Sequence, residues 1–417
     1  MTQFVHQFAA LSLPAKFLLF VALIGTLSST VYLVIVLVAA RRYLRVAKDQ
    51  RRAALATPDT KLPPVSILKP VHGLEPKLAE NLASFFEQDY PSFEIVIGAR
   101  DASNSALGVA REVCARYPHI PSRIVLSGPP TWPNAKAFSL DKMIAKSKNT
   151  FLVLSDSDVL VGRDLLRHVV PPLLDQKNGA VTCVYQGVPA GDFASLLEGL
   201  GMSVEMTSGV VVADMMEDMR FALGLVIAVR REVLEAIGGI RTTADYYSDD
   251  FVLGNEVWKA GFKVVLSHYW VNHILLPRGW RETVGDQLRW MKSTRYSRPA
   301  GHVGSGLTYA MPFGLAGWMA ALAGGLPALG WTLLGITFAN RVIQSVAVGW
   351  GVVRDSRSLK FCWLYPLRDL QGFLTWMVSF VSRDFYWRGE TYRFGKGGRI
   401  TPKLRPATFV SAAPPPH

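Results

Sequence analysis

The feature that most constrains this chain is the uncharged, largely apolar run Phe17–Ala40. A helix rises about 1.5 Å per residue, so a helix of this length crosses the hydrocarbon core of a bilayer, which is roughly 30 Å thick. An arginine-rich stretch begins at Arg41, and positive charge favours the cytoplasmic side of a membrane. We therefore predict a transmembrane anchor over that run, an external segment at residues 1–16 and a basic cytoplasmic linker at residues 41–62.

A cleaved signal peptide is the alternative interpretation of the same run. Signal peptides have a shorter apolar region, and their positive charge precedes that region instead of following it. The anchor is therefore the favoured prediction, and it makes the chain an integral membrane protein.

Two further apolar stretches, Leu307–Leu326 and Ala328–Val353, lie on either side of Pro327. Two apolar arms with a proline between them predict a transmembrane hairpin over residues 307–353. Arg341 interrupts the second arm, and a charge at that depth has to face protein or reach the interface.

The chain after this hairpin is first aromatic and then basic. Residues 361–387 contain only a short apolar run but several Trp and Tyr side chains, which predicts an interfacial or re-entrant segment. Residues 388–417 are predicted to form a basic cytoplasmic tail.

The net charge of +13 is concentrated in three basic runs, at residues 41–52, 278–298 and 383–405. Two of these runs adjoin predicted membrane segments, where anionic lipid attracts basic residues. No nucleic-acid-binding motif accompanies the charge, so we predict no nucleic-acid partner. The three cysteines lie far apart without metal-ligand spacing, which is typical of a reduced protein without disulfides.

Residues 63–300 form a predicted globular domain in which β-rich runs alternate with helical patterns. This alternation predicts an α/β domain with a mostly parallel sheet and helices on both faces. Ligands of such domains bind beyond the carboxyl ends of the strands. The predicted elements are strands at 65–68, 93–99, 123–126 and 151–154 and helices at 77–88, 104–117 and 134–146. Neither a G-x-G-x-x-G sequence nor a Walker-type loop occurs, which argues against dinucleotide and P-loop chemistry.

Asp156 and Asp158 directly follow the last of these predicted strands. Two carboxylates one residue apart at a strand end suit a divalent cation, Mg²⁺ or Mn²⁺, that also binds a diphosphate. In a chain of this length and composition a D-x-D sequence arises by chance about once. The prediction therefore depends on the position after a buried-type strand, and a pair of solvated loop acids is the alternative.

Two further acids are candidates for roles in binding and catalysis. Asp101 follows the strand at 93–99, where it either contacts a nucleoside or caps a turn. Asp250 stands with Ser248 and Asp249 at the start of a helical pattern, and one of those two neighbours is expected to cap the helix. Asp250 then becomes a candidate general base for an acceptor hydroxyl.

Basic and aromatic residues supply the remaining candidates. Arg289 is placed to clamp a phosphate and Trp290 to stack on a sugar, although a surface arginine beside a packed tryptophan is an equal alternative. Lys136 is a further phosphate candidate. His268 and His273 are candidate extra metal ligands, with ordinary packing or surface roles as the favoured alternative.

The stretch Asp192–Met219 is rich in Leu, Met, Val and Gly. Two interpretations stay open for it. It lies along the bilayer surface near Tyr246 and Tyr247 and admits a lipid acceptor, or it is a core helix.

The order of these features resembles the family-2-type glycosyltransferases of GT-A fold. More narrowly, it resembles the ceramide glucosyltransferase family, glycosyltransferase family 21, whose bacterial members include hopanoid-associated enzymes. The resemblance covers residues 63–298, together with the N-terminal anchor and residues 387–392. The stretches that carry it are Val65–Pro70, Asn81-Leu82, Phe85-Phe86, Gln88–Pro91, Asp101, Asp156–Asp158, Ser248–Asp250 and Asp286–Trp290.

The resemblance implies a role for each matched acid. Asp101 would contact the nucleoside, Asp156 and Asp158 would engage the diphosphate and the metal, and Asp250 would be the catalytic base.

Arg289 and Trp290 match the end of the family's (Q/R)-x-x-R-W motif. Asp286 stands where the motif has Gln or Arg, so the role of this first position is open.

The resemblance also implies the reaction. It is the inverting transfer of a hexose, glucose or N-acetylglucosamine, from a UDP-sugar to a hydroxyl of a ceramide-type or hopanoid lipid. The catalytic domain would lie on the cytoplasmic side of a bacterial inner membrane. A processive polysaccharide synthase and a polyprenyl-phosphate glycosyltransferase are the alternative enzymes, and a membrane nucleotide-sugar sensor is the alternative outside enzymes. Three predicted spans and Asp286 favour single transfer over a processive synthase.

Overall fold

The structure is a computed structural model, and it describes residues 11–387 and 389–403. Most of the predicted external segment at residues 1–16, and Arg388 and residues 404–417 of the predicted tail, lie outside the described residues.

The soluble domain is built on one eight-stranded sheet. Its strands are β1 (Val65–Pro70), β2 (Phe93–Ala99), β3 (Ser122–Leu126), β4 (Phe151–Ser155), β5 (Val159–Leu160), β6 (Asn178–Val188), β7 (Val226–Arg230) and β8 (Lys263–Ile274). The strand order is β3-β2-β1-β4-β7-β6-β8-β5. Four of the seven neighbouring pairs are parallel and three are antiparallel, which confirms the predicted mostly parallel sheet.

Helices cover both faces of this sheet. They are α2 (Leu78–Phe86), α3 (Ala106–Arg116), α4 (Ala135–Lys146), α5 (Leu165–Val169), α6 (Phe193–Glu217), α7 (Arg231–Ala236), α8 (Asp249–Lys259), α9 (Trp280–Ser297) and α10 (Pro299–Ser305). Ile67 and Leu68 of β1 point to opposite faces, and each belongs to a different hydrophobic cluster. Burial on both faces explains why the strands are apolar runs without alternation, with every residue of β2 buried.

The N-terminal helix α1 (Leu13–Ala56) is longer than the predicted anchor. It continues through most of the predicted linker because Ala, Arg, Lys and Leu favour helix and the first proline after it is Pro58. The extension is docked on the domain, where the Tyr43 hydroxyl donates to the Ser267 carbonyl at 2.8 Å.

Two helices of the described residues are long and apolar enough to cross a membrane, α1 and α6. Most of the apolar window of α6 is buried inside the protein, as in a core helix. Large apolar side chains of α1 such as Leu27, Val31 and Val34 are exposed instead.

The region predicted as a hairpin forms α11 (Met311–Ala323) and α12 (Pro327–Gln344), with Pro327 in the first turn of α12. The two helices pack so closely at Gly314 that a methyl group there would overlap the side chain of Thr337. Arg341 lies 3.0 Å from the Asp369 carboxylate with both side chains buried, which confirms that this charge faces protein. That the hairpin crosses the membrane remains a prediction.

The C-terminal part of the chain folds back onto the domain. The predicted interfacial segment contains α14 (Tyr365–Val378), which follows the short helix α13 (Ser356–Lys360). It ends in β9 (Asp384–Trp387), which pairs antiparallel with β10 (Glu390–Phe394), and β10 pairs with β11 (Ile400–Pro402). Part of the predicted tail is therefore a strand pair of this small sheet.

A matched pair of glycines tests how tightly α8 is seated. A methyl group at Gly254 would overlap the backbone of Phe221 and Ala222, whereas one at the exposed helical Gly108 would meet nothing. We expect Gly254→Ala to destabilise the protein by roughly 1–3 kcal/mol through overpacking. Gly108→Ala should stabilise it by about 0.5–1 kcal/mol. Thermal unfolding in detergent measures both, and equal Tm values for the two variants would contradict the packing described for α8.

Candidate active site

A large cavity, about 2290 Å³ in volume, opens where β4 ends. Asp156 and Asp158 leave the sheet between β4 and β5, so their carboxylates lie at the carboxyl end of a buried strand, as predicted. The predicted site residues that line this cavity are Lys136, Asp156, Asp158, Asp250, Arg289 and Trp290.

Asp156 belongs to a charge cluster centred on Lys136. The Lys136 ammonium lies 2.7 Å from Asp156 Oδ1 and 3.4 Å from Asp249 Oδ2. Asn134 caps α4 by accepting from the backbone N–H of Lys136 at 3.0 Å, and this holds the lysine at the cavity wall. Burial raises the pKa of Asp156, although Lys136 acts in the opposite direction.

Asp158 has one engaged and one free carboxylate oxygen. His273 Nε2 lies 3.1 Å from Asp158 Oδ2. Burial by itself would raise the pKa of Asp158, but the interaction with His273 lowers it overall. Asp158 Oδ1 is buried and has no hydrogen-bond partner among the described residues. A buried carboxylate oxygen without a partner is costly unless a ligand reaches it.

This oxygen fits Mg²⁺ or Mn²⁺, which prefer hard oxygen ligands. The described residues contain no group of three or more His, Cys, Asp or Glu side chains placed to hold a metal ion. Mg²⁺ is often bound by one or two carboxylates together with substrate phosphates and water, so a short protein ligand set is compatible with it. Asp158 would be the principal ligand, because the Asp156 carboxylate is paired with Lys136.

Asp250 lies in the first turn of α8 and lines the same cavity. Burial, with Asp249 next to it, raises the pKa of Asp250 to about 6, and Lys136 partly opposes this rise. Phe251 N donates to Asp250 Oδ1 at 2.8 Å. A carboxylate with a pKa of about 6 is mostly ionised at neutral pH and is a stronger base than an ordinary aspartate.

The expected helix cap before Asp250 is not formed. Neither Ser248 nor Asp249 makes a capping hydrogen bond in α8. The Ser248 hydroxyl lies 2.6 Å from the Ser293 hydroxyl of α9, and Asp249 pairs with Lys136. Tertiary partners therefore outcompete the local cap.

Arg289 is held between two neighbours. Its Nη1 lies 2.8 Å from Asp286 Oδ1, and its Nε donates to the Tyr247 hydroxyl at 2.6 Å. Asp286 also pairs with Arg278, so the acid at the first motif position joins two arginines of the cavity wall. Trp290 follows at the wall and is 36% exposed.

Asp101 is not among the residues that line the cavity. Its exposed carboxylate accepts from the Ser103 backbone N–H at 3.0 Å and from the Ser103 hydroxyl at 2.5 Å. These bonds lower the pKa of Asp101. The arrangement is that of a turn cap, the alternative weighed above. The neighbouring Arg100 is the residue of this loop that reaches the cavity.

Comparison with known sequences assigns the family. The sequence model of glycosyl transferase family 21 matches residues 21–400 of this chain.

The chain belongs to glycosyl transferase family 21.

The chain is similar to ceramide glucosyltransferases. Ceramide glucosyltransferase 1 of Caenorhabditis elegans is 22% identical over 357 residues, covering 82% of this chain and 74% of that protein. A ceramide glucosyltransferase of Komagataella phaffii is 33% identical over 147 residues, covering 34% of this chain and 29% of that protein. Among solved structures, the mannosyltransferase PcManGT from Pyrobaculum calidifontis, in complex with GDP-Man and Mn²⁺, aligns with a TM-score of 0.48 and 18% identity. The alignment covers 85% of this chain and 99% of that one.

Two further residues of this family 21 glycosyltransferase contact the aspartates of the site. One of them, Lys69, was not a candidate from its sequence context, and the other, His273, was a candidate metal ligand with packing as the favoured alternative. Lys69, at the end of β1, is fully buried, and it donates to the Ser155 hydroxyl at 3.2 Å and to the Asp156 carbonyl. Burial lowers the pKa of Lys69 to about 7. A lysine inside an apolar strand is the signal that could have identified it. His273 was weighed only as one of two histidines, and it is the partner of Asp158.

The small C-terminal sheet completes the site. Trp387 packs edge-on against the ring of Tyr247 with centroids 5.2 Å apart, and both residues line the cavity. The backbone N–H of Ile400 donates to the Asp245 carbonyl at 2.7 Å, which ties β11 to the loop before α8. The C-terminal strands therefore fix the loop that carries Tyr247 and leads into α8, where Asp250 lies.

Proposed function

We propose that this glycosyltransferase transfers a hexose, glucose or N-acetylglucosamine, from a UDP-sugar to a hydroxyl of a ceramide-type or hopanoid membrane lipid, with inversion. The observation that carries the proposal is that one cavity is lined both by Asp250, whose pKa is raised, and by Asp158, which has a carboxylate oxygen without a partner among the described residues. The wall of that cavity continues along α6 to Tyr32 of α1, the less buried of the two helices that are long and apolar enough to cross a membrane.

Asp250 acts as the general base. As the acceptor oxygen attacks the anomeric carbon, its proton moves to the Asp250 carboxylate and the bond from that carbon to the diphosphate oxygen breaks. The new bond forms opposite the one that breaks, so the configuration inverts. No covalent enzyme intermediate is needed.

The positive residues of the cavity wall stabilise the departing diphosphate. Lys136 and Arg289 already face acidic partners, so they are oriented and need little rearrangement when the donor binds. A bound Mg²⁺ or Mn²⁺ at Asp158 would supply further charge neutralisation of the leaving group. Trp290 is the proposed sugar contact. The family resemblance assigns Asp101 to the nucleoside, with Arg100 beside it at the cavity.

The membrane arrangement is part of the same proposal. The helix α1 spans the bilayer of a bacterial inner membrane, the catalytic domain lies in the cytoplasm, and α11 and α12 form a membrane hairpin. Two observations support this arrangement. Exposed apolar side chains on α1 are suited to contact with lipid, and the buried charge of Arg341 is paired with Asp369, as a charge inside a membrane has to be.

A UDP-release assay on the detergent-solubilised protein tests the proposal. It combines UDP-glucose or UDP-N-acetylglucosamine with ceramide, bacteriohopanetetrol or diacylglycerol, in the presence of Mg²⁺ or Mn²⁺. Lipid-dependent UDP release, with an unphosphorylated glycolipid as product, is the expected result. A product with phosphate between sugar and lipid, or a sugar polymer, would replace the proposal by a polyprenyl-phosphate transferase or a polysaccharide synthase.

Replacing Lys136 by Met is expected to shift the pH dependence of transfer. Lys136 lowers the pKa of Asp250, so its removal raises that pKa above about 6. A larger fraction of Asp250 is then protonated at neutral pH, and the acid limb of the pH–rate profile moves to higher pH. Lys142→Met is the matched control, because Lys142 lies on the exposed side of the same helix and pairs with Asp141. An acid limb that does not move in the Lys136 variant would contradict the assignment of Asp250.

A further inference from the structure

A second cavity, of about 370 Å³, opens on the outer side of α1. It is a shallow groove between α1 and the chain that leads into α11. The groove is lined by Ile24, Leu27, Ser28, Val31, Tyr32, Ile35, Leu307 and Thr308.

The lining of this groove is apolar and preformed. Its α1 residues recur every three or four positions, so they occupy one face of the helix. The Ser28 hydroxyl donates to the Leu307 carbonyl at 2.9 Å, which joins the two walls. The Thr308 hydroxyl donates to the Ser305 carbonyl at 2.8 Å. Both hydroxyls are therefore hydrogen-bonded within the protein. The side chains of Leu27 and Val31 give the groove an exposed apolar surface.

The groove adjoins the catalytic cavity, because Tyr32 and Thr308 line both. The cavity side of this junction is polar. The Arg368 guanidinium lies 2.9 Å from the Glu205 carboxylate, and the Tyr309 hydroxyl donates to Glu205 at 3.3 Å.

Arg368 has N–H groups that could donate hydrogen bonds to a ligand. Its Nε and Nη1 are buried and have no hydrogen-bond partner among residues 11–387 and 389–403. Gly201 and Gly372 leave space for the guanidinium, since a methyl group at either would press on it. A buried donor without a partner is costly, and an oxygen of a bound molecule would relieve that cost.

We infer that this groove holds one alkyl chain of the lipid acceptor, which enters sideways from the bilayer through the junction of Tyr32 and Thr308. The polar end of the lipid then lies in the cavity, with its oxygens near Arg368 and Glu205 and a hydroxyl directed towards Asp250. The inference rests on the proposed function, in which the acceptor is a membrane lipid. An apolar groove that opens on a lipid-facing helix and leads to buried polar groups matches the two halves of such a molecule.

Two tryptophan substitutions on α1 test the groove. Val31 lines it and is 51% exposed, whereas Val34 is 56% exposed on the same helix and does not line it. Val31→Trp should raise the KM for long-chain ceramide about tenfold, because a filled groove leaves methylene groups of the chain unburied. The KM for short-chain ceramide and the affinity for UDP should not change, and Val34→Trp should behave as wild type. Equal KM values for the two variants with long-chain ceramide would overturn the inference.

Photolabelling separates this inference from the proposed function. Ceramide with a photoactivatable group on its acyl chain is irradiated with the wild-type protein in detergent, with and without excess unlabelled ceramide. Labelling of residues 24–35 and 307–308 that unlabelled ceramide prevents is the expected result. It requires no turnover, so it supports the groove even if no sugar is transferred and the reaction proposal fails. Absence of competed labelling in this region would overturn the groove, whatever the activity.

Discussion

Replacing Asp250 by Asn is expected to lower the rate of sugar transfer by about 10²–10⁴-fold, the usual contribution of a general base. The substitution keeps the shape of the side chain and removes its ability to take a proton. UDP-sugar binding should stay close to wild type, because the pairs of Lys136 and Arg289 with their acids do not involve Asp250. The measurements are kcat for UDP release with a lipid acceptor and calorimetric binding of UDP.

If Asp250 is the general base, its pKa also sets how the wild-type transfer rate depends on pH. Burial raises the pKa of Asp250 from 3.8 to about 6, and the ionised form is the active one. The transfer rate should therefore fall about tenfold per pH unit below about 6 and be level above it as far as this group is concerned. An acid limb near pH 4 would show that the base is an unperturbed carboxylate elsewhere.

The thermal stability of the Asp250→Asn variant shows whether lost activity comes from the missing base or from misfolding. A carboxylate whose pKa is raised by folding favours the folded protein below its unfolded pKa, and this contribution is lost as pH rises through the folded pKa. For Asp250 that window runs from about 4 to about 6, so at pH 7 the ionised side chain is unfavourable to folding. Asp250→Asn should consequently have a Tm at pH 7 equal to or above that of wild type. A lower Tm together with lost activity would indicate misfolding.

Asp245→Asn is the matched control for this experiment. Asp245 lies in the loop just before α8, is exposed and does not line the cavity. Its contact with β11 uses the backbone carbonyl, which the substitution leaves intact. Transfer by this variant should equal that of wild type, and a comparable loss in both variants would remove the special role of Asp250.

Replacing Asp158 by Asn is expected to have the second largest effect, a loss on the order of 10²–10³-fold in transfer. The substitution removes a negative charge and replaces one carboxylate oxygen by a donor. The free Oδ1 of Asp158 is the position from which a divalent cation would be held. The cation-dependent part of UDP binding should disappear in the variant, which calorimetry with and without Mn²⁺ measures directly.

Asp141→Asn controls for the loss of one negative charge, because Asp141 is partly exposed on α4 and pairs only with the neighbouring Lys142 among the described residues. It should keep both transfer and the Mn²⁺ dependence of UDP binding. An Asp158 variant that still binds UDP more tightly with Mn²⁺ would place the cation elsewhere.

The two acids differ in what the sequence revealed about them. The position of Asp158 after a buried strand was sufficient to predict that its carboxylate lies at the edge of the sheet where ligands bind, and its role in holding a cation stays a prediction. The context of Asp250 predicted a capped helix and an extra acid, but the cap is absent and Asp249 turns to Lys136 instead. A local capping preference of about 1 kcal/mol is smaller than the interactions available in the assembled site.

Asp101 and Asp286 show that agreement with a motif does not decide whether a residue lies at the cavity. Asp101 matches the family pattern, yet its carboxylate closes a turn with Ser103 and does not line the cavity. Asp286 departs from the pattern, yet it joins Arg278 to Arg289 at the cavity wall. A motif records which residue types occupy a position, whereas side-chain partners depend on elements that lie far away in the chain.

The sequence by itself determined the elements of this protein. The patterns of apolar residues predicted the first four strands and the three helices between them to within a few residues, and the long uncharged run predicted α1. For Arg341 the sequence allowed two outcomes, and the structure has the one in which the charge faces protein. These features depend on local propensity and on the burial of apolar surface, and both are encoded by residues close together in the chain.

Only the tertiary structure decided which side chains meet. It brought His273 of β8 to Asp158, Lys136 of α4 to Asp249 of α8, and the C-terminal strands to the loop before α8. It also joined the groove on α1 to the catalytic cavity through Tyr32 and Thr308. Such contacts join residues separated by more than a hundred positions. They depend on the order of strands in the sheet and on the packing of helices across it, which no local pattern specifies.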